Sequence, residues 1–165
     1  MLTIAIETTG WLGIDLESLA ERAVAMTLAH LELPQKDVET SLLGCDDARM
    51  CQLNSDFRNK SVATNVLSWP SVDLSATVEG TQPQPAEPDF EGVIDLGDIA
   101  IAYETCAGEA GDLGKSLEAH ATHLIVHGML HLLGYDHIRD GDATVMQALE
   151  IEILGKLGLD DPYMT

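Results

Sequence analysis

His127-Gly128-Met129-Leu130-His131-Leu132-Leu133-Gly134-Tyr135-Asp136-His137 is the stretch from which the rest of this chain is best read. Its first two imidazoles stand four residues apart. On a helix that spacing puts them on one face, with Cβ atoms about 5–6 Å apart, so both can point at a single metal ion. His137, six residues on, cannot share that face if the helix runs straight. The chain has to leave the helix and turn back, and Gly134 permits this because glycine accepts the positive φ of a helix C′ position. His127, His131 and His137 then form a three-histidine site with one coordination position open. That is the ligand set of a catalytic zinc, which brings the pKa of a bound water to about 7, rather than that of a closed structural site.

The spacing is shared with the metzincin signature H-E-x-x-H-x-x-G-x-x-H. Those peptidases draw their general base from the glutamate, and here Gly128 stands in its place. The motif therefore predicts a metallohydrolase, with a zinc-dependent peptidase or other small-molecule hydrolase as the alternative that the missing glutamate argues against. A metal with a purely structural role, in a ribosome-associated binding module, is a third reading.

Outward from the motif, one long helix is predicted from about Lys115 to Leu133. It carries His120, His123, His127 and His131 along one stripe. His123, one turn before His127, is a candidate for supporting a ligand or facing substrate, and a half-buried structural histidine otherwise. An exposed position is expected for His120. Asp136 is a candidate acceptor for a ligand imidazole, or a turn residue. After the motif, 142–157 reads as a final amphipathic helix, with Val145, Met146, Leu149 and Ile153 inward and Met146 beneath the site.

Toward the N-terminus, residues 2–8 alternate as a strand. Asp15 caps a helix whose apolar face runs Leu16, Leu19, Ala20, Ala23, Val24, Thr27, Leu28 and Leu31, stopped by Pro34. His30 suits the C-terminal end of that helix dipole. A second strand is expected over 37–44, then a short helix capped by Asp46 or Asp47 with Met50, Leu53 and Phe57 inward. Thr64–Trp69 is a short strand ending at Pro70, and 93–103 is its hairpin partner. Between them the composition changes: four of six prolines lie at 70, 83, 85 and 88 among Ser, Thr, Gly and acidic residues. Residues 71–92 are accordingly expected to form a long exposed loop, mobile or partly disordered and conceivable as a lid, inside a single domain spanning 1–165.

Composition narrows the function classes. At 165 residues the chain suits one domain, and 45% hydrophobic with 22% charged residues is ordinary for a soluble protein. No apolar run reaches the roughly 18–20 residues of a membrane span, and no basic-then-apolar leader opens the chain, so a cytoplasmic location is expected. Cys45, Cys51 and Cys106 form no C-x-x-C pair and read as small apolar side chains in a reducing compartment. The net charge of −20, with eight Lys and Arg, repels phosphate and leaves few cations to hold it. Arg58 and Lys60 sit close together, and Arg139 follows the third histidine. Any RNA binding should be weak and strongly salt-dependent.

The motif, with Leu53-Asn, Phe57-Arg58, Thr64-Asn-Val-Leu-Ser-Trp-Pro70, Leu96-Gly-Asp-Ile-Ala-Ile and the tail Glu150–Tyr163, resembles the YbeY family of bacterial endoribonucleases. Asn65 stands where that family usually has Asp, and Trp69 where it has Phe. The resemblance implies an α+β fold: a mixed, mostly parallel four-stranded sheet packed with about five helices, the metal helix near its centre. It further implies a single-strand-specific, metal-dependent endoribonuclease acting in ribosomal RNA maturation, notably at small-subunit RNA ends, and in ribosome quality control. By the same resemblance His127, His131 and His137 carry over as ligands of one Zn²⁺, with His127 and Arg58 in catalytic roles. Single-stranded RNA, ribosomal RNA and ribosome-associated proteins are the implied partners, with no DNA or membrane among them. Arg58 would hold a phosphate oxygen through its planar fork and stabilise transition-state charge. Without the resemblance, pairing Arg58 with one of the many carboxylates would be an ordinary structural role.

Overall fold

A computed structural model describes residues 1–58 and 63–164, the side chains of 57 and 58 excepted. Four strands make one sheet in the order β1-β2-β4-β3, from β1 (Leu2–Ile6), β2 (Val38–Cys45), β3 (Val66–Pro70) and β4 (Ile94–Ala102). β1 runs parallel to β2 and β2 parallel to β4, while β3 pairs antiparallel with β4 at the edge. Five α-helices among the described residues complete it: α1 (Leu16–His30), α2 (Asp47–Arg58), α3 (Tyr103–Leu113), α4 (Leu117–Leu132) and α5 (Asp140–Lys156). This is the mixed α+β architecture that the resemblance implies.

β4 shows why the sheet sits where it does. Ile99, Ala100, Ile101 and Ala102 are all buried, although neighbouring side chains on a strand point to opposite faces. Ile99 and Ile101 join the main core with Trp11 and the inward faces of α1, α4 and α5. Ala100 and Ala102 instead join Cys45, Met50, Leu53 and Leu67 under α2 on the other side. A strand covered on both faces reads as a continuous apolar run rather than an alternation. Helix α4 lies at the centre, touching α1, α3, α5, β3 and β4. Its faces are buried by Leu124, Ile125, Val126, Met129, Leu130 and Leu132, so its position is fixed by packing on nearly every side.

The helix ends follow from local chemistry. Asp15 Oδ1 accepts from Ser18 N at 3.1 Å, Asp46 Oδ1 from Arg49 N at 2.8 Å and Ser116 Oγ from Ala119 N at 3.1 Å. Each satisfies an amide that a helix N-terminus leaves unpaired.

Several expectations change. β1 stops at Ile6 rather than residue 8, because a short 3-10 helix (Thr9–Gly13) carries Trp11 into the core, where its Nε1 donates to Cys45 O at 3.0 Å. The helix predicted from 115 begins at Leu117, and a separate α3 precedes it, ended by Gly114 in the left-handed conformation (φ 67°). α3 escapes periodicity because its buried face is only Cys106 and Ala110, interrupted by Gly108 and Gly111. Residues 71–92 form no helix or strand, as expected of a loop, but they are tied down. Arg139 Nη2 donates to Ala76 O at 2.8 Å, Gly80 N to Asp142 Oδ1 at 2.9 Å and Gly141 N to Glu79 Oε2 at 2.8 Å. The loop thus lies against the start of α5. No helix among the described residues is long and apolar enough to cross a membrane.

Candidate metal centre

The last turns of α4 present His127 and His131 on one side, and the helix then closes with a paired hydrogen bond. Gly134 N donates to His131 O and Tyr135 N to Leu130 O, both at 3.0 Å. This is a Schellman ending, which needs a left-handed residue at its C′ position. Gly134 supplies it at φ 100°, and a Cβ there would come within 2.5 Å of Leu74 O. Conformation and packing both require glycine. Asp136 Oδ1 then accepts from His137 N at 2.7 Å, shaping the turn that brings His137 back. Asp136 is therefore seen as a turn residue, with its hydrogen bond to a backbone amide rather than to a ligand imidazole.

The turn brings the three rings together. Ring centroids lie 4.6 Å apart for His127–His131, 5.4 Å for His127–His137 and 5.0 Å for His131–His137. One ring nitrogen from each falls within 4.8 Å of the other two, and Nε2 of His127 and His131 stand 3.0 Å apart. Zn–N bonds of about 2.0–2.1 Å at tetrahedral angles place ligand nitrogens about 3.3 Å from one another, so this donor set fits a zinc-sized ion. No cysteine or carboxylate joins the cluster among the described residues. Burial, and then the nearby charges of His127 and His137, push the His131 pKa down to about 4. His131 is thus neutral at physiological pH, the form that offers a lone pair to a metal.

Behind the ligands stands a residue to which the sequence reading gave no role. Glu150, on α5, is fully buried, and its Oε1 accepts from His127 Nδ1. Its Oε2 accepts from the Tyr163 hydroxyl and lies 3.5 Å from His123 Nε2. Burial alone would raise the Glu150 pKa, but the approach of His123, His127 and Tyr163 outweighs it and holds the carboxyl down at about 2. The available signal was a carboxylate in line with Met146, Ile153 and Leu154 on the buried side of α5. His123 packs edge-on to His127 and to Tyr163, with centroids 6.3 and 5.9 Å away.

His120 is not exposed: it is 5% accessible, with Nε2 2.9 Å from Glu109 Oε1. The expectation failed because α3, which carries Glu109, was not foreseen. Arg58, Lys60 and Phe57 lie outside the described side chains. Cys45 and Cys106 are buried and Cys51 half-buried, all free thiols.

A cleft of about 790 Å³ opens in front of the histidines, lined by Asn65, Val66, Ser68, Leu74, His127 and His131 among others. β3 pairs with β4 on one side only and is the outer strand of the sheet, so it borders this cleft. Gly128, by contrast, is pressed against the sheet. A Cβ there would meet Ile99 at 3.1 Å and Ser68 Oγ at 3.2 Å, closer than comfortable van der Waals contact. Any side chain at this position would require the Ile99 and Ser68 side chains to give way by a few tenths of an ångström.

The chain is similar to known proteins over nearly its whole length. The Endoribonuclease YbeY family model matches residues 6–158. A Ruegeria sp. (strain TM1040) protein named Endoribonuclease YbeY is 57% identical over 164 residues, covering 99% of this chain and 96% of its own. The Ruegeria pomeroyi protein of the same name is 56% identical over 162 residues, covering 98% of this chain and 97% of its own. A solution structure of a Thermotoga maritima protein superposes with a TM-score of 0.56 at 20% identity, covering all of both chains, a likeness of fold. The family match across nearly the whole chain, with relatives above half identity, shows that this chain belongs to the YbeY endoribonuclease family.

Proposed function

We propose that the protein is a zinc-dependent endoribonuclease that cuts single-stranded RNA in the cytoplasm. Its substrates on this reading are ribosomal RNA precursors, above all small-subunit RNA ends, and RNA on defective ribosomes, met through ribosome-associated proteins. The observation that carries the reading is the three-histidine cluster at the floor of an open cleft, in a chain of the YbeY family.

The proposed roles rest on the histidine cluster and, for Arg58, on the likeness to the family. His127, His131 and His137 would hold one Zn²⁺. A bound zinc supplies Lewis-acid polarisation and a water of lowered pKa. His131, neutral at physiological pH, carries no charge that would oppose a bound cation. His123 supports the ligand set through Glu150, and Asp136 shapes the loop that delivers His137. Arg58 is assigned to the transferring phosphate, whose charge grows toward the transition state and is best met by a planar guanidinium. The cleft bordered by β3 accepts a single strand. Because the chain carries −20 with only eight Lys and Arg, few cations meet the phosphates and affinity should be weak.

The peptidase reading shares the histidine spacing but lacks its base, and a side chain at Gly128 would crowd Ile99 and Ser68. The two separate in one assay set. Matched single-stranded and duplex RNAs are incubated with the zinc-loaded protein, with chelator-treated protein, and beside a peptide library. Cleavage of the single strand alone, lost with chelator and restored by zinc, is the expected result. Peptide hydrolysis without RNA cleavage would overturn the proposal.

A further inference from the structure

Glu150 is fully buried on α5, and a buried carboxylate is tolerated only when its charge and lone pairs are met. Among the described residues no Lys or Arg makes an ion pair with it. What meets it are imidazoles and a phenol: His127 Nδ1–H on Oε1, the Tyr163 O–H on Oε2, and His123 Nε2 at 3.5 Å from Oε2. Tyr163 comes from the segment after α5 and lies 13 residues from Glu150 in sequence. Burial, and then the contact with Glu150, pushes the Tyr163 pKa up, so its hydroxyl stays protonated and donating.

This arrangement does something specific to His127. A neutral imidazole carries one proton, and a carboxylate at Nδ1 fixes it there, which leaves the Nε2 lone pair toward His131 and His137. We infer that Glu150 is the positioning residue of the three-histidine cluster, holding His127 in its Nδ1–H tautomer and ring orientation, and that Tyr163 holds Glu150 in turn. The inference rests on the metal reading above and deepens it, because acceptors behind a ligand imidazole raise metal affinity by fixing tautomer and basicity. In the metal-free protein the 3.0 Å between Nε2 of His127 and His131 then requires His131 to donate from Nε2.

Two readouts test this without relying on RNA cleavage. Zinc affinity is measured by competition with a chromophoric chelator, and the histidine tautomers of the metal-free protein by long-range ¹H–¹⁵N NMR. Wild type should show His127 protonated on Nδ1 and His131 on Nε2. Glu150→Gln keeps the shape but loses the charge. It should bind zinc about 10–100-fold more weakly and show His127 as a tautomer mixture. Tyr163→Phe should weaken zinc binding by a few-fold and shift the His127 ring nitrogens in the same direction. Wild-type affinity and an unchanged His127 tautomer in Glu150→Gln would overturn the inference while leaving the metal site standing. A wild type that binds no zinc would overturn the metal reading and this inference with it. If Glu150→Gln does not fold, as judged by circular dichroism, Tyr163→Phe decides by the same two measurements, and wild-type values there overturn the inference.

Discussion

The Asn65 side-chain amide donates to Glu109 Oε1 at 3.1 Å, just before β3, and the same oxygen lies 2.9 Å from His120 Nε2. The YbeY-like pattern usually carries Asp where this chain has Asn65. An aspartate here would set a second carboxylate against Glu109 and delete the donor. Asn65 and Glu109 are therefore matched to one another, and through His120 they tie α3 and α4 to the start of the cleft strand.

Asn65→Asp is expected to destabilise the protein by about 1–2 kcal/mol at low salt, less at high salt because Glu109 is partly exposed to solvent. Adding Glu109→Gln should restore most of the loss by returning a donor to the pair. Urea unfolding of the two single variants and the double variant measures the coupling. Equal stability of wild type and Asn65→Asp would show that the contact contributes nothing.

Gly134→Ala should be costly in two ways at once. Its φ of 100° disfavours any side chain, and the new Cβ would meet Leu74 O at 2.5 Å. A loss of about 1–3 kcal/mol is expected, read as a lower thermal midpoint. Zinc affinity should fall with it, because His137 is delivered by this turn. A variant that kept its zinc affinity would mean that His137 reaches the cluster by another route.

Gly128→Glu restores the metzincin pattern on paper but not in space. Its side chain would press on Ile99 and Ser68, at a cost of about 1–3 kcal/mol or more. Peptide assays on the variant should stay blank while denaturant midpoints drop. Gain of peptidase activity in a fully stable variant would contradict the packing argument.

The cysteines supply a pH dependence whose sign can be worked out. Burial, and then the nearby Glu7, pushes the Cys45 thiol up to about 12, and burial with Glu109 does the same for Cys106, both from 9.0. Both are neutral thiols in the fold, whereas the unfolded chain ionises them near 9. The fold's preference for the thiol form is therefore constant below pH 9 and is lost progressively as pH rises from 9 toward 12. Urea midpoints should hold from pH 7 to 8.5 and then decline. With a thiol reagent at neutral pH, half-buried Cys51 should react first, and Cys45 and Cys106 only on unfolding.

Much of the site was legible because its chemistry is local. His127, His131, Gly134 and His137 lie within eleven residues, and helix geometry plus one left-handed turn is enough to bring them together. Glu150 was not legible in the same way. Its partners sit 23 and 13 residues away: the packing of α5 against α4 brings His127 to it, and the segment after α5 brings Tyr163. His120 went wrong for a related reason: its partner Glu109 is on α3, whose buried face of Cys106 and Ala110 leaves almost no apolar periodicity to detect. The sheet was easier. β4 announces burial on both faces by its unbroken Ile-Ala-Ile-Ala run, while the 3-10 turn around Trp11 overrides an alternation that looked like continuing strand.

A metal held by three histidines and used on RNA is the core of the proposed function. Zinc content and cleavage of a labelled single-stranded RNA, measured together on wild type, His131→Ala and Arg58→Ala, test that claim most directly. Wild type should carry about one zinc per chain, the ligand set of a single site. His131→Ala should lose both metal and cleavage, and Arg58→Ala should keep the metal but lose cleavage by about 100-fold or more. Full RNase activity in both variants, beside a zinc-loaded wild type, would contradict the site proposed for this protein.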